Sequence, residues 1–432
     1  MLTVEEALAR CMTLQIPRRT QHVPLHAALH RVLAEDVAAA HTLPHWDNAA
    51  MDGYAIRFAD CSASLTDAPQ AGCDNTDAAL PPAVAVLTVT ETIAAGTVGA
   101  RTIGPGQAAR IMTGAPVPVG ADTVVMRENT AVTDERVTIH GMPREGQHIR
   151  YAGEEARPGA PLLSAGDTLT PGKLGLLAAQ GHATAHVVAR PRVGIISTGD
   201  EVRAPGEDLQ PGQIWSSNTA ALIGLIIEAG AEPIDCGIAP DTLEGTRDTF
   251  LRAIDTGCDL LVSTGGVSVG DFDVVKDAMG SLGAEMLFWK VRAKPGKPLA
   301  LGQIGGVPTF GLPGNPVSCM VNFLQFVRPV LRRAMGDPRP FLPVLRATID
   351  APFRKRHGRA EFVRVRLRVQ DGRLRATPTG NQSSGWITSM AHGDALLIVG
   401  IESTGVDAGD EVWVQPMHAS PALMTAEPAY PW

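Results

Sequence analysis

Three glycine-rich turns, each directly after a short apolar run, constrain this chain most. They are STGDE at 197–201, STGGVSVGDFD at 263–273 and GLPGNPVS at 311–318. The runs before them (VGIIST, DLLVST, PTFGL) are short and unbroken, as strands covered on both faces are. Helical stretches separate them. NTAALIGLIIEAG ends at Gly230. A second helix is predicted to start at Asp241, with Glu244 completing a capping box. NPVSCMVNFLQFV places Asn315 at the N-cap and Pro316 at the first helical position. Strands alternating with helices imply a mostly parallel, doubly wound α/β sheet over residues 190–335.

The flanks have a different texture. The chain opens on a predicted helix, with Thr3 and Glu6 as a capping box before Val4, Ala7, Leu8, Cys11 and Met12 at helical spacing. The 60–83 segment is small, polar and proline-ended, and reads as a long loop. From 85 to 150, runs such as LTVTETI, ARIM, DTVVM and RVTIH are split by Gly and Pro turns, which points to a small barrel or sandwich. The polar residues of DNAAMDGYAI (47–56) fit neither a helix nor a strand period and suggest a structured functional loop. After 340, EFVRVRLRVQ sets Val365, Leu367 and Val369 against Arg364, Arg366 and Arg368 in alternation. Asp371-Gly372 then signals a hairpin turn, and DEVWVQP closes a C-terminal β domain.

Composition removes several classes. At 432 residues the chain is too long for one ordinary core. Its net charge of −8 argues against a general nucleic-acid binder. No apolar stretch is long enough to span a membrane, and the acidic N-terminus lacks the basic region of a signal peptide, so a cytoplasmic location is expected. The six cysteines show no CxxC spacing, so oxygen ligands are favoured over sulfur for any metal.

The turns suggest chemistry. In an open parallel sheet, ligands sit beyond the carboxyl ends of the strands, where glycine lets backbone amides approach an anion. Asp200, Glu201, Asp271 and Asp273 end two of the turns and suit a hard cation such as Mg²⁺, which bridges phosphates. Tight turns with capping aspartates are the plain alternative, and Asp241 fits an N-cap as well as a site. Lys290, Lys294 and Lys297 surround a Pro-Gly turn and could clamp an oxyanion or form a solvated basic loop. Thr113 precedes Gly114 on a turn, and Arg150, Glu154, Glu155 and Arg157 cluster in HIRYAGEEARPG.

In this order, DNAAMDGYAI, IMTGAPVPVGADTVVM, IRYAGEE, STGDE, STGGVSVGDFD, KPGKP and GLPGNPVS resemble the molybdopterin molybdenumtransferases, the family of bacterial MoeA and the gephyrin E domain. The resemblance spans about residues 1–420. It implies an α/β multidomain fold with four parts. These are an N-terminal discontinuous domain (1–46 and 147–185), an inserted small β domain (47–146), a doubly wound molybdopterin-binding domain (186–336) and a C-terminal β domain (337–420). It also implies a homodimer with its cleft between subunits. The implied reaction is Mg²⁺-dependent: adenylylated molybdopterin and molybdate give molybdenum cofactor and AMP. Asp52, Thr113, Arg150, Glu155, Glu201, Asp241, Asp273, Lys290 and Lys294 fall on the family's motif positions, as do Arg364 and Ser384 in a shorter motif.

On this reading the loop residues Gly265, Gly266, Ser268, Pro313, Gly314 and Asn315, with Lys294 and Lys297, hold the pterin phosphate and anhydride. Glu201, Asp241 and Asp273 organise the metal. Arg150, Arg364 and Ser384, with Lys290, receive the molybdate dianion. The dithiolene sulfurs belong to the substrate, so no cysteine cluster is required. This sequence departs from the family pattern at Glu155, where an aspartate is usual, and at Ser263-Thr264, where the two hydroxyl residues are exchanged. The preceding step, adenylylation of molybdopterin, is the alternative activity, and a scaffold like the gephyrin E domain is a third reading.

Overall fold

The computed structural model describes residues 1–62, 80–266 and 274–418. The chain forms two compact units, one of Met1–Glu35, Ala165–Pro171 and Thr184–Trp432, the other of Asp36–Ser164 and Gly172–Ala183.

The first unit is built on a six-stranded sheet. Its order is Glu232–Ala239, Arg192–Thr198, Leu260–Thr264, Val307–Leu312, Pro298–Ile304 and Glu285–Lys290. The first four strands are parallel; the last two join through antiparallel pairings, with Pro298–Ile304 alone running against the rest, so the expected doubly wound sheet is mixed at one edge. Side-chain alternation explains why helices cover both faces. Val193, Ile195, Leu260 and Val262 join Leu222, Ile226 and Phe323 on one side. Ile196 and Leu261 join Phe250, Ala253 and Val275 on the other.

The opening helix is Val4–Cys11, and its capping box forms as the sequence suggests. Glu6 N donates to Thr3 Oγ1 at 3.2 Å and Thr3 N donates to Glu6 Oε2 at 2.8 Å. The helix Ser217–Glu228 ends with Gly230 at φ 89°. The next helix differs from expectation. It is Leu243–Asp255 and its cap is Thr242, whose hydroxyl accepts from Gly245 N at 3.2 Å, so Asp241 lies before the helix. Beyond Pro316–Asn322 the helical run widens into a π turn over Phe323–Val327 before Arg328–Ala334. Pro329 lacks an N–H and crowds the carbonyl four residues back, which a wider turn relieves.

The C-terminal strands close on themselves. Ala360–Gln370 pairs with both Arg373–Pro378 and Ala395–Val399, and Leu345–Ile349 and Glu411–Pro416 complete a five-stranded barrel. Asp371 and Gly372, at φ 50° and 69°, form the hairpin turn read from the sequence. The alternation holds for Val363, Val365 and Leu367, which lie inside the barrel, whereas Val369, expected with them, is exposed near the end of the strand. Arg364 departs from the solvent-facing reading. It is 1% exposed because the 380–391 segment covers that part of the outer face.

The second unit is all-β in its main sheet, ordered Thr123–Met126, Gly53–Ile56, Gln107–Ile111, Ala83–Ile93, Arg136–His140 and Thr130–Thr133. Its two edge strands are joined by the short turn Arg127–Asn129, so the sheet curls in a barrel-like way. DNAAMDGYAI proves more regular than its polarity suggested. Asn48–Ala49 and Gly53–Ile56 are strands, and only the residues between them turn.

Candidate active site

The carboxyl ends of Arg192–Thr198, Leu260–Thr264 and Val307–Leu312 open into one cavity of about 680 Å³. Its floor is polar and buried. Thr198, Thr264 and Asn218 are at most 9% exposed. Asn218 Nδ2 donates to Thr264 Oγ1 at 2.7 Å and to the Gly314 carbonyl at 2.8 Å. Thr264 Oγ1 donates to the Pro313 carbonyl at 3.2 Å, and Thr198 Oγ1 to the Thr264 carbonyl at 3.3 Å. These bonds tie two glycine turns and the strand leading to the third into one wall. Asn218 Oδ1 is buried without a protein partner.

Gly265 shows why glycine is needed there. Its φ is +96°, and a Cβ would stand 2.6 Å from Thr198 Oγ1 and 2.7 Å from the Thr198 carbonyl oxygen. Without a side chain, the backbone packs directly against the neighbouring turn. The N-terminus of Ser217–Glu228 and the helical run from Pro316 both start at this wall, so their dipoles favour an anion.

Glu201 and Asp241 line the same cavity. Asp241 exchanges hydrogen bonds with Asp200: each backbone N–H donates to the other's carboxylate at 3.2 Å. That reciprocal pair holds Asp241 beside the STGDE turn, while Thr242 caps the helix. Asp271, Asp273 and Ser268 lie outside the described residues. Among the described residues no three His, Cys, Asp or Glu side chains are grouped for a metal. Two hard oxygen donors beside an anion cradle nonetheless suit Mg²⁺, which takes one or two protein carboxylates and completes its shell with phosphate and water.

The lysine loop splits. Pro298 lines the cavity and Lys297 is exposed one residue before it. Lys290 ends its strand opposite Pro298. Lys294 is held instead by Glu361, Nζ to Oε1 at 3.3 Å. The loop itself is clamped by Asn322, fully buried, whose Nδ2 donates to the Gly296 and Pro298 carbonyls. Ser384 Oγ accepts from Asn315 Nδ2 at 3.0 Å, which explains why Asn315 occupies the N-cap position without capping through its side chain. Gly385, next to Ser384, lines the cavity. Arg364 donates from Nε to Ser389 Oγ at 3.1 Å and from Nη2 to the Ser383 carbonyl at 3.2 Å. Burial lowers its pKa to about 10. It therefore supports the loop that carries Ser384.

In the second unit, Asp52 and Thr113 meet. Asp52 Oδ1 accepts from both the backbone N and Oγ1 of Thr113 at 2.7 Å. The Thr113 hydroxyl, then its N–H, and more weakly Arg110 and Arg127, hold the Asp52 carboxyl below its ordinary value. Arg150 is exposed on a strand paired with Asn48–Ala49. Glu155 is exposed, with its N–H bonded to the Leu43 carbonyl at 3.0 Å.

Three family models match the chain in order: the MoeA N-terminal region (domain I and II) over 2–181, the probable molybdopterin binding domain over 194–333, and the MoeA C-terminal region (domain IV) over 346–417. The molybdopterin molybdenumtransferase of Bacillus subtilis is 36% identical over 96% of this chain and 93% of its own length. This chain belongs to the molybdopterin molybdenumtransferase family. Molybdopterin molybdenumtransferase 2 of Mycobacterium tuberculosis is 39% identical over 91% of this chain and 94% of its own. The crystal structure of the molybdopterin biosynthesis MoeA protein of Pyrococcus horikoshii superposes with a TM-score of 0.79, at 28% identity, over 96% of this chain and all of that one. The protein is thus a transferase of molybdenum cofactor biosynthesis, and the residues lining its cavity, Gly385 apart, lie within the span of the molybdopterin-binding model.

Sequence reasoning missed several groups in this transferase's cavity. Ser197, Ser216 and Asn218 line it, as do the exposed Ile214 and Trp215 at its rim. Asn218 had a local signal: it follows Ser216 and Ser217 at a helix start, where a polar side chain can turn toward a ligand.

Proposed function

We propose that this transferase inserts molybdenum: it takes adenylylated molybdopterin and molybdate, and releases molybdenum cofactor and AMP in a Mg²⁺-dependent reaction. The observation that carries the reading is the joining of the glycine turns by Asn218 and Thr264 into one anion cradle, with Glu201 and Asp241 at the same cavity.

Each group has a role in that reading. The amides of Gly265, Gly266 and Gly314 bind the pterin phosphate, with Pro313 and Asn315 shaping the turn and Lys297 adding charge. Glu201 and Asp241, with Asp273, would hold Mg²⁺, which supplies charge neutralisation at the phosphoanhydride when bound. Ser384, positioned by Asn315 and by the Arg364-supported loop, receives molybdate together with Lys290. Asp52, Thr113, Arg150 and Glu155 belong to the second unit and complete the residue set carried over from the family. The enzyme acts as a cytoplasmic homodimer in this reading.

The test uses purified protein with adenylylated molybdopterin. AMP release should require Mg²⁺ and fall sharply in Glu201→Gln and Asp241→Asn. Accumulation of adenylylated molybdopterin from molybdopterin and ATP would instead favour the preceding adenylylation step.

A further inference from the structure

The amino ends of the central strands carry a second cavity. The strand Arg192–Thr198 starts at this cavity and ends at the glycine-turn cavity. Its length, about 20 Å at roughly 3.3 Å per residue, separates the two. The second cavity encloses about 600 Å³ and is lined by Arg19, Arg31, Arg190, Arg192, Thr20 and Glu232, among others.

Three of the four guanidinium groups have protein partners. Arg19 pairs with Asp259, and Arg192 donates to the Thr256 and Gly257 carbonyls. Arg31 is different. It is 8% exposed, and its hydrogen bond runs from Nη2 to the Val188 carbonyl at 3.0 Å. Burial, together with the nearby charge of Arg190, lowers its pKa from the ordinary value. Among the described residues neither Arg31 nor Arg190 forms an ion pair.

A buried guanidinium without a counter-charge is costly, and a planar fork of donors is suited to an oxyanion. Asp259 and Glu232 offset two of the four arginines, which leaves an excess matching a dianion. We propose that this cavity is a second anion site, taking a small ligand with a doubly charged tetrahedral oxyanion group, with Arg31 at its base and Arg190 at its rim.

Calorimetric titration of the full chain at low ionic strength tests it, with inorganic phosphate in one arm and molybdate in the other. The wild type should bind phosphate in the millimolar range or tighter. Arg190→Gln should weaken binding by about tenfold, the worth of one charge-assisted hydrogen bond. Arg190→Glu should abolish the binding at this cavity, leaving any phosphate held at the glycine turns, with the rate of AMP release at saturating substrate unchanged. Arg190 is exposed, so neither substitution should disturb folding. Tighter binding of molybdate than phosphate would tie the site to substrate supply, and equal binding would mark a general dianion site. No phosphate binding by the wild type, or wild-type affinity in Arg190→Glu, would overturn the proposal.

Discussion

Asn218→Ala removes the side chain that joins the turns. Asn218 Nδ2 faces Thr264 Oγ1 at 2.7 Å and the Gly314 carbonyl at 2.8 Å. A carbonyl can only accept, so the amide orientation is fixed by chemistry. Alanine deletes both bonds. Thr264 keeps its bond to the Pro313 carbonyl, whereas the Gly314 carbonyl loses this donor. Two net hydrogen bonds contribute about 1 kcal/mol each, and Gly314 is exposed, so water can replace the donor its carbonyl loses. The expected loss is about 2 kcal/mol, a sizeable share of the roughly 5–15 kcal/mol that holds a typical domain. Urea unfolding should show it as a lower midpoint at unchanged slope. At temperatures where the variant remains folded, kcat/KM for AMP release should fall by about tenfold or more, because the phosphate cradle is displaced. Thr264→Val shares the deleted bond, so the double variant should lose less than the sum of the two singles. An Asn218→Ala protein within about 0.5 kcal/mol of wild type, with unchanged kcat/KM, would refute the reasoning.

Gly265→Ala puts a Cβ against Thr198 at a φ of +96°, where L residues rarely sit. It should cost about 1–3 kcal/mol in backbone strain before any clash is counted, measured by thermal unfolding. Thr113→Val removes the leading cause of the lowered Asp52 pKa, so Asp52 should titrate closer to an ordinary carboxylate in a carbon-detected NMR titration. A depressed folded value means that the stability from Asp52 is present above its unfolded pKa and lost as pH falls through the folded one. In Thr113→Val that loss should be smaller and complete at a higher pH on acidification, and an unchanged Asp52 titration would count against it. Gly372→Ala, in a turn with φ of 69°, should cost about 1–2 kcal/mol, read from the shift in unfolding midpoint.

Features fixed by near neighbours were legible in the sequence. The Thr3–Glu6 box, Gly230 after its helix, Asn315-Pro316 at a helix start and the Asp371-Gly372 turn each depend on residues a few positions apart. The features that escaped were set by distant parts of the chain. Of the two roles the sequence leaves open for Asp241, cap or site residue, the cap goes to Thr242, and Asp200 holds Asp241 from 41 positions away. Arg364 alternates as an outward residue should, and is buried only because the 380–391 segment folds over it. The pairing of Lys294 with Glu361, which no local pattern signals, depends on a strand contact far along the chain. Each of the three turns is legible singly. Asn218 joins two of them, through partners 46 and 96 positions away, and Thr198 ties in the third through the Thr264 carbonyl.

The most direct measurement is AMP release from adenylylated molybdopterin by the purified protein, with molybdate and Mg²⁺ added separately and together. Molybdenum insertion predicts release at full rate only when both are present, with one molybdenum bound to pterin for each AMP formed. Full-rate release without molybdate, with no metal transferred to the pterin, would contradict it.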